Sequence, residues 1–413
     1  MPPFAARKDR FRALAGPSGL SVASQAIGVA QLFGLLWRYG PSNATDAYFY
    51  LFNLGSLPVQ ILVVGVFYPM LLTQSRVSRR GALWFAVGAP LCAVTAVVAG
   101  GVWLALSGRV DGEIPLIIAL AAVNALVQSL VWYRAVAAEA GGTAHWIASV
   151  ALPANALAAL IVLVPWGSST NTVVAMISCL VIGNAGLLAV MLRFDVGGPV
   201  VRNLPTVPAA RQRGHWWFLA KSGTSYGGLM VVQSISLTLP PSVLTILSIP
   251  MKIVGAVAAT FVNALMPRLV HQDTDSPQAA FRFLRQVVVI LGSLGAFGAL
   301  ATKIVAPEHT VPAVIVWLWL IASAAGAVAQ RLAFRFLPPS FSRITIAVVP
   351  VIVVGVMVST QWAGFGLVAL LCAYALVDAA TSFLLLLSLK DRRMSLLTGG
   401  LTMSLVAIWV ASL

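Results

Sequence analysis

The sequence predicts an all-α polytopic membrane protein, and three observations carry that expectation. Hydrophobic residues make up 60% of the 413 and charged ones only 9%, with a mean hydropathy of +0.94, where a soluble domain has roughly 25% charged residues. The apolar residues fall in long blocks of the ~20 residues needed to cross a bilayer. The cations collect in alternate connections between those blocks, as the positive-inside rule requires.

Taken in order, MPPFAARKDRFRALAG is basic and precedes an apolar block. It has no small-residue cleavage site, so the first span, near 14–37, is expected to be retained. Spans near 47–73, 82–107, 114–134, 146–166 and 172–192 follow. The Gly, Pro and Arg of RFDVGGPVVRNLPTVPAARQRGH, residues 193–215, mark a linker. Beyond it come spans near 216–238, 242–267, 287–304, 311–330, 344–361, 365–389 and 396–412. Residues 276–286, SPQAAFRFLRQ, open with a helix-start signal and interleave Phe281 and Leu284 with Arg282 and Arg285, which reads as a short interfacial helix. The expected organisation is an N-lobe over 1–192, a linker over 193–215, a C-lobe over 216–389 and an additional span over 390–413. That is thirteen spans, within a range of 12–14.

Orientation follows from the Lys and Arg positions. One side of the expected membrane holds 21 of them, from Arg7 through Arg134 and Arg193 to Arg393, and the other only Arg38, Arg109 and Lys303. The N-terminus is therefore expected in the cytoplasm. Tryptophans agree: Trp37, Trp103, Trp166 and Trp362 sit at expected external ends, and Trp84, Trp132, Trp146, Trp216 and Trp217 at cytoplasmic ones.

The same placement argues against nucleic acid as a partner, because the +15 charge follows topology rather than one basic face. Cys92, Cys179 and Cys372 lie inside apolar spans without metal-ligand spacing. No metal or cofactor is expected. No phosphate-binding loop or H-E-x-x-H motif exists, and His145, His215, His271 and His309 all fall in connections, so the chain does not read as an enzyme. The N-A-T at 43–45 is taken as a chance match to the glycosylation pattern.

Both halves begin on the same side, the arrangement of parallel repeats about an axis along the membrane normal, with a site between them. The second span contains LGSLPVQILVVG and the eighth LSIPMKIVG, so Gln60 and Lys252 each follow a proline by two residues. Two stretches then carry a resemblance. SQAIGVAQLFGLLWRYGPSNATDAYFYLFNLGSLP, residues 24–58, resembles the first two helices of MurJ/MviN-type flippases, and SIPMKIVGAVAATFVNALMPRL, residues 248–269, resembles their eighth. The chain is identified as a divergent relative of the MOP superfamily, which holds lipid-linked oligosaccharide flippases, polysaccharide exporters and MATE exporters. The resemblance implies two six-helix lobes related by a pseudo-two-fold axis, here with one extra C-terminal helix, and alternating access around a cationic cavity. It also implies a lipid-pyrophosphate-linked sugar as substrate. This chain places Gln25 and Gln31 where that family carries first-helix arginines, and Val59 and Gln60 where it carries a basic pair. Lipid II is therefore not the expected substrate.

The candidate substrate residues are Lys252, Lys221, Gln25, Gln31, Gln60, Asn53 and Gln233. Lys252 lies about ten residues, or roughly 15 Å, from the nearer end of its span. Cations at that depth cost about 3 kcal/mol unless they face a bundle interior or water. Lys221, about one and a half turns inside its span, either snorkels or joins the site. The amides, with Asn124, Gln128 and Asn263, serve interhelical hydrogen bonds or sugar hydroxyls. Asp378, the acid deep in a span, is the candidate for coupling to Na⁺ or H⁺, or for pairing with Lys252. Asp46 opens the second span, where a helix cap explains it. The expected function is a flippase for a lipid-linked glycan precursor or other anionic lipid, in the cytoplasmic membrane of a bacterium and working beside biosynthetic enzymes. The alternatives are a MATE-like ion-coupled exporter of small amphiphiles and a non-transporting membrane scaffold.

Overall fold

The computed structural model describes residues 4–72, 77–108, 114–143, 145–204, 215–240, 243–271, 278–362 and 366–412. Among these, thirteen stretches of span length occur, and eleven of them are apolar enough to cross a membrane by length and composition. The protein is a multi-pass membrane protein, and no strand occurs among the described residues.

The chain divides into two compact units, Met1–Ile246 and Leu247–Leu413. The first opens with α1 (Phe4–Tyr39), whose membrane-length part is Gly19–Tyr39. The second crossing is composite: α2 (Asn43–Pro58), a π-helix (Val59–Phe67) and α3 (Tyr68–Leu72). Then follow α4 (Arg79–Leu106) and α5 (Ile114–Ala140). The fifth crossing breaks at Val150–Ala151, ahead of Pro153, into α6 (His145–Ser149) and α7 (Leu152–Val162). Next are α8 (Ser169–Arg193), the short α9 (Gly198–Arg202) and α10 (His215–Ser236). The helix α11 (Val243–His271) begins in the first unit.

Serines start several of these helices. Ser78 Oγ accepts from Gly81 N at 3.1 Å and Ser168 Oγ from Asn171 N at 3.1 Å, satisfying amides that a helix start leaves open. At α2 the cap is a reciprocal pair, Ser42 with Thr45. Thr45 is fully buried there, so the N-A-T triplet serves a helix start. The last carbonyls of α7 are met from α1: Arg38 donates to Val162 O at 3.2 Å and Leu163 O at 2.7 Å, placing a cation at a helix C-terminus. Close packing does the rest. A Cβ on Gly183 of α8 would stand 2.5 Å from the Ala154 backbone of α7, an approach that only glycine allows.

Between α8 and α10, α9 occupies part of the expected linker, with Arg202 paired to Asp195; residues 205–214 lie outside the described residues.

The second unit contains α12 (Gln278–Val305), α13 (Thr310–Phe336), α14 (Arg343–Trp362), α15 (Leu367–Ser388) and α16 (Arg392–Ser412). The separate interfacial helix expected over 276–286 is not formed. From Gln278 the chain runs straight into α12, because Phe281 and Leu284 are buried against Val328, Leu332 and Leu385 rather than lying on a surface. Residues 276 and 277 are outside the described residues. Asp391 starts α16 by accepting from Met394 N at 3.3 Å, and Arg285 of α12 approaches it at 3.6 Å. One face of α12 stays uncovered, with Ile290, Leu294, Phe297 and Ile304 exposed at helical spacing, as a lipid-facing surface would be.

Candidate functional site

Along α2, Asp46, Tyr50 and Asn53 are spaced by four and three residues and so share one face. Each reaches a residue nearly 200 positions away. Asn53 Nδ2 donates to Gln233 Oε1 of α10 at 3.1 Å, and the hydroxyls of Tyr50 and Ser234 meet at 3.0 Å. Asp46 Oδ1 accepts from Thr245 N of α11 at 2.8 Å and from the Thr245 hydroxyl, beside which the Thr45 hydroxyl lies at 3.0 Å. Residues advance along α2 as their partners recede along α10, so the two helices run antiparallel. The result is a seam of neutral hydroxyls and amides about two turns long, closed at one end by a carboxylate.

Asp46 stands in the first turn of α2, where the sequence reading placed it as a cap. Ser42 and Thr45 form the reciprocal cap of that helix, and Asp46, 2% exposed, also accepts from the first turn of α11. A carboxylate at a helix N-terminus is favourably placed in the field of the aligned peptide dipoles.

A second polar group lies deeper in the first unit. Gln31 Nε2 donates to Met176 Sδ at 2.9 Å and approaches the Tyr48 hydroxyl at 3.4 Å, while its Oε1 is buried without a hydrogen-bond partner. Asn184 Nδ2 donates to Asn124 Oδ1 at 2.9 Å. Between these groups Tyr48, Phe52, Asn124 and Gln128 line a small cleft.

Of the residues singled out from sequence, the structure thus joins Asn53 with Gln233, and puts Gln31 in the second group. Gln25 is half-buried on α1, and Gln60 is half-buried in the π-helix. Lys221 is buried on α10, at 6% exposure. Lys252, on α11, and Asp378, on α15, belong to the second unit, and each is half-buried. Asp378 Oδ2 accepts from Trp319 Nε1 of α13 at 2.9 Å, with Tyr374 packed on the indole at 5.5 Å between ring centroids. The side chain of Asn263 lies outside the described residues. Tyr50, Ser234 and Trp319 were missed. The 46–50–53 spacing was visible in the sequence, but the partners were not, since no local rule pairs positions so far apart.

No model of a known protein family matches the chain, and no curated protein does. Among solved structures it is similar to the lipid II flippase MurJ in an inward closed conformation. The identity is 11% and the TM-score 0.60, over 95% of this chain and 91% of that one. It is also similar to the eukaryotic MATE transporter AtDTX14, at 13% identity and a TM-score of 0.53, over 96% of this chain and 98% of that one. These likenesses establish the fold, the one that the sequence resemblance to the MOP superfamily implied.

Proposed function

We propose that the chain is a flippase that moves a lipid-linked glycan precursor across the cytoplasmic membrane by alternating access. The observation behind this reading is the seam on α2, where Asn53 with Gln233 and Tyr50 with Ser234 offer amides and hydroxyls. Interhelical hydrogen bonds in membranes contribute about 0.6 kcal/mol each. Sugar hydroxyls can therefore take their place at little cost. The likeness in fold to a lipid II flippase supports the same reading.

The anionic end of such a substrate needs cations, and Lys221 and Lys252 both lie within helices of span length. Gln25, Gln31 and Gln60 offer only neutral contacts, about half as strong as charge-assisted ones. The substrate is accordingly a lipid-linked glycan other than lipid II, made and consumed by enzymes acting on lipid-linked sugars. The driving force is the membrane potential or an Na⁺ or H⁺ gradient, with Asp378 as the coupling group. Each elementary charge moved through the potential supplies about 2.3 kcal/mol per 100 mV.

The test is transfer of a fluorescent lipid-pyrophosphate-linked saccharide between leaflets of proteoliposomes, read with a membrane-impermeant quencher. Transfer should occur without ATP, depend on an imposed potential or ion gradient, and vanish in Lys252→Ala protein that is still folded. Transfer that persists with both collapsed would refute ion coupling.

A second reading is favoured by one observation. The carboxylate of Asp378 beside Trp319 and Tyr374 is a pairing that suits amphiphilic cations. Ion-driven efflux of such cations from the same vesicles, with no movement of lipid-linked saccharides, would establish a MATE-like exporter instead.

A further inference from the structure

We propose that the π-helix of the second crossing is a register hinge, a stretch along which π-turns shift, trading places with α-turns, while both of its ends stay anchored. The idea rests on the transporter reading above for its purpose, but on the following geometry for its existence.

The α-helical ladder fails at Pro58, which has no N–H to donate. Just before it, Ser56 Oγ bonds back to Asn53 O at 2.8 Å, and the Val59 N–H turns to Ser56 O, three residues back. From there the chain adopts the wider i to i−5 pattern for nine residues, ending with the Tyr68 N–H on Val63 O. Five of the nine are β-branched, Val59, Ile61, Val63, Val64 and Val66, and Gly65 is a sixth poor helix former. An α-helix thus gains little here from local propensity. π-turns inside helices mark functional positions more often than chance allows, because each carries a residue more than the α-helical turn it replaces.

Both flanks are tied. Upstream, the seam holds α2 through Tyr50, Asn53 and Asp46. Downstream, the Tyr68 hydroxyl donates to Glu139 Oε1 of α5 at 3.0 Å, and the fully buried Phe67 stacks on Tyr133 at 5.1 Å between ring centroids. Between the anchors, Gly65 lies so close to α10 that a Cβ there would stand 2.2 Å from Ser222 Oγ and 2.6 Å from Ser222 Cβ. With the ends fixed, the extra residue cannot be lost, so a π-turn that moves along this stretch has to turn the side chains that it passes about the helix axis. Gln60, half-buried in this stretch, would change the face it presents, and the bare Cα at residue 65 is what lets the backbone turn against α10.

Hydrogen–deuterium exchange on the full chain in lipid nanodiscs tests this without any substrate. Amides of residues 59–67 should exchange at least about tenfold faster than those of α2 and of the membrane-length α8, since interconversion breaks their bonds. Deleting Leu62, which removes the extra residue, should slow them to the α2 rate. Gly65→Ala should change the exchange of both the π-helix and α10, and Ser222→Gly in the same protein should restore it. A wild-type π-helix that exchanges as slowly as α2 overturns the hinge, whether or not the deletion variant folds. So does exchange unaffected by both the deletion and the Gly65→Ala change. A chain that moves no lipid-linked saccharide yet shows fast, deletion-sensitive exchange would sink the flippase reading and leave the hinge standing.

Discussion

The carboxylate of Asp46, in the first turn of α2, accepts hydrogen bonds from both the backbone N–H and the hydroxyl of Thr245, in the first turn of α11, 199 residues further along. The relationship joins the start of the second crossing to the start of α11, and both residues are buried. It makes Asp46 a cap for a helix other than its own.

Removing that carboxylate strands a buried amide. Asp46→Ala should destabilise the protein by about 1–3 kcal/mol, the cost of an unsatisfied buried donor. Asp46→Asn, whose side-chain oxygen can still accept, should lose less. Thermal unfolding in detergent measures both, and an Asp46→Ala protein as stable as wild type would remove the cap from the account.

The Asn53–Gln233 bond should matter more to transport than to folding. A double-mutant cycle with Asn53→Ala and Gln233→Ala should give a coupling free energy near the ~0.6 kcal/mol typical of such membrane contacts. Either single change should raise the saccharide concentration needed for half-maximal transfer. If both leave transfer untouched while stability falls by several kcal/mol, the seam is only a packing contact.

At the other end of the chain, Asp378→Asn should reduce the dependence of transport on an ion gradient. Trp319→Phe, which deletes the indole N–H bonded to Asp378, should shift that dependence while keeping the aromatic surface. Unchanged ion dependence in Asp378→Asn would exclude the residue as the coupling group.

Selectivity is testable in cells. With glutamines at 25, 31 and 60, the chain should fail to replace a depleted lipid II flippase, and a Lys252→Arg protein should keep its own transport where Lys252→Ala does not. Full rescue of the depleted strain would show that cations at the glutamine positions are dispensable.

By itself the sequence determined that this chain crosses a membrane many times, where most crossings lie, and that proline interrupts the second. Those properties follow from local quantities: twenty-residue hydropathy, the missing N–H of Pro58, and small polar residues at helix starts. Even Asn53 and Gln233 were recognisable as polar residues within apolar spans. Only the tertiary structure decided that they bond to each other, that Asp46 serves Thr245, and that Trp319 meets Asp378. It also absorbed residues 278–286 into α12, because amphipathic spacing looks the same whether its apolar side meets lipid or the neighbouring helices. The physical reason is common to all of these. A side chain's chemistry is written at one position, whereas its partner is chosen by how helices far apart in sequence pack, and in an apolar solvent that packing leaves no hydropathy pattern to read.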